Sequence, residues 1–83
     1  MEVTKMRVKV PTKLHVRSGP GLEYRILDAL DNKTVIEVTE QSNGWYRIQA
    51  FYLEKDNYRV TLRRDAWVCG KYLRKHRERK LFG

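Results

Sequence analysis

One cysteine, two prolines, two histidines and three alanines in 83 residues set the first limits. A lone Cys69 cannot close an internal disulfide, so the cross-linked frameworks of many small secreted domains are excluded. Cys69 with His15 and His76 falls short of the four close-spaced ligands of structural zinc. So little alanine argues against a helical bundle. No apolar run approaches the roughly 18 residues of a membrane-spanning helix. The opening residues, Met1 to Val8, lack the apolar centre of a secretory signal. Read by itself, the sequence predicts a protein that stays in the cytoplasm where it is translated, unless it is a module of something larger.

What is present points to sheet. Eight Val, three Ile, five Thr, five Tyr, two Phe and two Trp are strand-favouring residues. The apolar fraction is 41% and the charged fraction 34%, suited to a folded domain. The length allows one small core, which excludes a dinucleotide-binding fold or a (β/α) barrel. The net charge is +8, and it is uneven. Residues 71–83 hold six basic side chains and one acidic one, a net of +5, against +3 for residues 1–70.

Met6, Val8 and Val10 alternate with Lys5, Arg7 and Lys9, the pattern of a half-exposed strand ended by Pro11. Leu14–Arg17 alternates again before the turn cluster Ser18-Gly19-Pro20-Gly21. Thr34–Glu40 reads as a strand with Ile36 and Val38 inward. Asn43-Gly44 is the best hairpin signal in the chain. Residues 45–55 and 58–68 read as a long strand and its partner, turning at Asp56-Asn57. That register sets Leu53 opposite Val60, Phe51 opposite Leu62 and Glu54 opposite Arg59. Residues 69–73 read as a closing turn. The result is five to six antiparallel strands in a small, partly open barrel, with a basic tail, disordered or a short helix, over residues 74–83.

Several segments now fit one pattern. Leu14-His15-Val16-Arg17-Ser18-Gly19-Pro20-Gly21 resembles the "L-N-V-R-S-G-P" opening of bacterial SH3 (SH3b) domains. In order follow Tyr24–Leu27, Thr34–Val38, Asn43–Ile48 ("N-G-W-Y-K-V") and Ala66–Leu73 ("G-W-V-x-x-x-Y-L"). The resemblance covers roughly residues 6–73 and implies an SH3-like barrel. Three departures stand out: a hairpin arm over about residues 50–64, Ala66 where the family has glycine, and the basic tail.

No enzyme is expected, and no cofactor. Cys69 is the only thiol, and nothing in the sequence brings His15 or His76 to it. Ser18–Gly21 lacks the lysine of a phosphate-binding loop. The resemblance implies instead a ligand-binding groove lined by Arg17, Ser18, Pro20 and Tyr24 on one side, and by Trp45 and Tyr72 on the other. Trp67, Ile48, Val16 and Val68 are assigned to the core. Family members commonly attach enzymes or surface proteins to bacterial wall peptides, so the first expectation is a binding module for a cell-wall peptide or protein. Within a lysin or a larger secreted protein, it would act at the cell wall. The alternative is a stand-alone intracellular, phage-type protein that binds a protein or nucleic-acid partner. Its arm and tail would supply a basic face of Arg59, Arg63, Arg64, Arg74, Lys75, Arg77, Arg79 and Lys80.

Overall fold

The computed structural model describes residues 3–53 and 58–76. Eight strands lie among them: β1 (Thr4–Val8), β2 (Lys13–Arg17), β3 (Ile26–Asp31), β4 (Val35–Ser42), β5 (Trp45–Leu53), β6 (Tyr58–Thr61), β7 (Trp67–Cys69) and β8 (Leu73–Lys75). A single 3₁₀ turn, Gly70–Tyr72, separates β7 from β8. All pairings are antiparallel, in the order β3-β2-β7-β5-β4-β1-β8, with β6 paired to the outer half of β5. The sheet curls as an SH3-like, partly open barrel around Val8, Val16, Ile36, Ile48, Val68 and Leu73.

The alternation read from the sequence places most of these residues. Val8 and Val10 are buried while Lys5, Arg7 and Lys9 are exposed. The β4–β5 hairpin closes on the pair Ser42–Trp45, leaving Asn43 (φ 50°) and Gly44 (φ 80°) as a two-residue turn. Positive φ at both positions is the type I′ geometry that Asn-Gly tolerates.

Several expectations are corrected. The strands number eight rather than five to six. The partner expected over 58–68 is broken into β6 and β7. The β5–β6 ladder sets Leu53 opposite Tyr58, Tyr52 opposite Arg59 and Phe51 opposite Val60, two places from the expected register. The expected pair Glu54–Arg59 is therefore not the pairing of Arg59, and the expected turn at 56–57 lies outside the described residues. The β5–β7 ladder, with Trp45 opposite Cys69 and Arg47 opposite Trp67, is out of step with β5–β6 by three residues. Those three are Arg63, Arg64 and Asp65. Hydrogen bonds bracket them: Leu62 N–H to Gln49 O (2.8 Å) and Ile48 N–H to Ala66 O (2.9 Å).

Trp67 is half-buried and outside the core. Its neighbour Val68 faces inward, and the pleat turns successive residues to opposite faces. Lastly, Arg74 and Lys75 are not tail. They belong to β8, which pairs with β1 through Val8–Leu73, Arg7–Arg74 and Met6–Lys75.

Candidate functional site

The loop between β2 and β3 is built around Arg17. Its Nη1 donates to the carbonyls of Leu22 (3.1 Å) and Tyr24 (3.0 Å), while the Ser18 N–H bonds Arg25 O (2.8 Å). The Tyr24 ring lies flat over Gly19. A Cβ at that position would sit 2.3 Å from ring carbon Cδ1, so only glycine admits the ring there. The loop is thus held by one guanidinium strut and one close packing contact.

Beside it, Arg17, Trp45 and Tyr72 line one cavity of about 280 Å³. Val10, Leu14, Leu22 and Cys69 complete its apolar wall, and Lys13 and His15 border it. Strand register explains the meeting. Trp45 pairs with Cys69 across β5–β7, and the 3₁₀ turn after Cys69 brings in Tyr72. Lys13 is engaged by Asp31 at 3.1 Å, and Arg17 by the loop carbonyls. The groove is therefore mainly aromatic and apolar.

The other expected groove residues do not line this cavity. Tyr24 is spent on Gly19, Pro20 is half-buried in the loop, and Ser18 lines a separate depression with Arg25, Leu27, Arg64 and Asp65. Leu22, 74% exposed, was not anticipated; a large apolar residue just past a turn cluster was the available signal. Cys69 and His15 do share this cavity, with no hydrogen bond between them.

The described members of the expected basic face make different contacts. Arg63 and Arg64 are exposed and edge a cavity of about 370 Å³ floored by Val16, Leu27, Phe51, Leu62 and Ala66. Asp65 ties this bulge to Arg47 at 2.5 Å, and Arg47 also meets Glu40 at 3.1 Å. Arg59 is elsewhere, donating from Nε and Nη2 to the Glu37 carboxylate, both at 2.8 Å. Gln49 Nε2 (2.7 Å) and the Tyr52 hydroxyl also donate to Glu37. Arg77, Arg79 and Lys80 lie outside the described residues.

Among the described residues Glu37 is the buried charge, 6% exposed, and was not singled out from the sequence. The hydrogen bonds from Arg59 outweigh burial, which acts the other way, and with those from Tyr52 and Gln49 hold its carboxyl at about 2 instead of 4.5. The same contact raises the Arg59 guanidinium further. This network fastens the β6 side of the arm back onto β4.

A family model described as Bacterial SH3 domain matches residues 12–74. The chain belongs to that family, whose members support a binding-module kind of function. Comparison with curated proteins finds no match.

Proposed function

We propose that the chain is a non-catalytic module that binds a bacterial cell-wall peptide or protein segment in the groove between Trp45 and Tyr72. The supporting observation is the convergence of these two aromatics with Leu22 around one open cavity. Its volume, about 280 Å³, is near the small end of ligand sites and suits a few residues of extended chain. Tyr72, 36% exposed, offers a ring for packing and a hydroxyl for a backbone carbonyl or amide. Lys13 meets Asp31 and Arg17 meets the loop carbonyls, while Lys71 Nζ lies over the Tyr72 ring at 5.7 Å, so the ligand is read mainly through packing and hydrogen bonds. Cys69 has no hydrogen-bonded base among the described residues, which favours binding over catalysis.

Co-sedimentation with purified wall sacculi across a salt series, beside a folded Trp45→Ala variant, tests this. The expected result is binding that survives high salt and weakens about 30-fold or more in the variant, the size of a central aromatic contact. Absent binding, or binding lost with salt equally in both proteins, overturns the reading.

A further inference from the structure

The outward face of β1 carries Lys5 and Arg7, and Lys9 just past its end continues the row, all exposed. Register places Arg74 of β8 directly opposite Arg7. Like charges facing across a ladder destabilise it, and this pair has no carboxylate within 4 Å among the described residues to offset it. The same holds for Lys5 and Lys9. The nearest acid in register is Glu37, opposite Lys5, and it is taken up by Arg59. The two remaining acids near the chain ends, Glu2 and Glu78, are outnumbered by Arg77, Arg79 and Lys80. Arg7 Nη2 also lies 3.3 Å from His76 Nδ1, which can accept from it.

We infer that this β1–β8 face binds the phosphate backbone of duplex nucleic acid. A protein partner is disfavoured because the centres of protein interfaces are depleted of charge and enriched in apolar contact. Single strands are disfavoured because they require aromatic platforms for stacking. The aromatics near this face are each covered by a lysine: Lys5 Nζ sits over the Tyr52 ring at 5.0 Å, and Lys71 Nζ over the ring of Tyr72, the residue that pairs with Lys9, at 5.7 Å. Dimensions fit a duplex. From Lys5 to Lys9 a strand runs about 14 Å. One strand of duplex DNA presents about four phosphates over that length. Four cations, Lys5, Arg7, Lys9 and Arg74, lie along this edge, Arg74 with its Nη1 held by the carbonyls of Lys71 (3.2 Å) and Leu73 (2.8 Å). Contact to phosphate alone predicts binding with little sequence preference. The site adjoins the Trp45–Tyr72 groove at Tyr72, whose carbonyl accepts from the Lys9 N–H (2.8 Å), but none of its four cations lines that groove.

The test is fluorescence anisotropy with a labelled 20-base-pair duplex from 50 to 200 mM salt, and thermal melts of the same proteins. The wild type should bind with a log–log salt slope of about −3.6, for four neutralised phosphates. Arg7→Glu should weaken binding about tenfold or more while its Tm stays level or rises, because Glu opposite Arg74 replaces a repulsive pair. Trp45→Ala should bind the duplex as the wild type does. No binding at 50 mM salt overturns the inference. So does unchanged affinity in Arg7→Glu, which would assign binding to residues 77–83. Equal affinity for polyglutamate of matched length would reassign the face to polyanions generally and also overturns it.

Discussion

Glu37 sits in a strand where Val35, Ile36 and Val38 are all buried, and it is buried with them. A carboxylate there is tolerable only because three side chains of β5 and β6 donate to it. The drop from 4.5 to about 2 means that folding lowers this pKa. Its stabilisation is therefore complete above roughly pH 5 and is lost as the pH falls through 4.5 toward 2. The ceiling is about 3 kcal/mol. Arg59 is 43% exposed, so solvent screening reduces it. Glu37→Gln is expected to lose about 1–2 kcal/mol near neutral pH. It should also show a flatter Tm profile than the wild type between pH 5 and 2, measured by circular dichroism melts. Parallel profiles would remove Glu37 from the acid transition. The network was not legible in the sequence because it depends on the arm's register, which pairs Arg59 with Tyr52 rather than Glu54. Trp67 was misassigned to the core although the signal was present: with Val68 inward, the pleat turns its neighbour outward.

Among the elements, turns read well and the interrupted strand did not. Asn43-Gly44 specified its hairpin because its backbone needs positive φ twice. Nothing lies within 4 Å of the place a Gly44 Cβ would occupy. Gly44→Ala is therefore a pure conformational substitution, expected to cost about 1–2 kcal/mol in chemical denaturation without moving the strands. The bulge at Arg63–Asp65 is hard to read because Val60, Leu62, Ala66 and Val68 keep the same phase on either side of it, with Arg64 alone interrupting. Three extra residues hide within a pattern that counts only in twos. The groove was partly legible for a related reason. Trp45 and Tyr72 flank turns with strong signals, whereas the packing of the exposed Tyr24 over Gly19 is a loop contact with no periodicity of its own.

At the scale of the molecule, the barrel and its family followed from ordered motifs. Its closure by β8 did not, because Leu73–Lys75 is too short and too basic to read as a strand. Yet Leu73 is 5% exposed and packs in the core. Leu73→Ala is expected to cost about 2–5 kcal/mol. A domain of this size has a total of roughly 4–12 kcal/mol, so the variant should melt well below the wild type in calorimetry. A loss under 1 kcal/mol would mean that β8 is an appendage rather than the last stave.

The antiparallel pairing of β1 with β8 also fixes where the chain enters and leaves. Met6 and Lys75 stand opposite one another, so both ends of the folded unit emerge side by side. Such a unit can be spliced into a surface loop of a host protein without prying the host apart. Equally, a short linker could join its ends and new ones be opened at Asn43-Gly44.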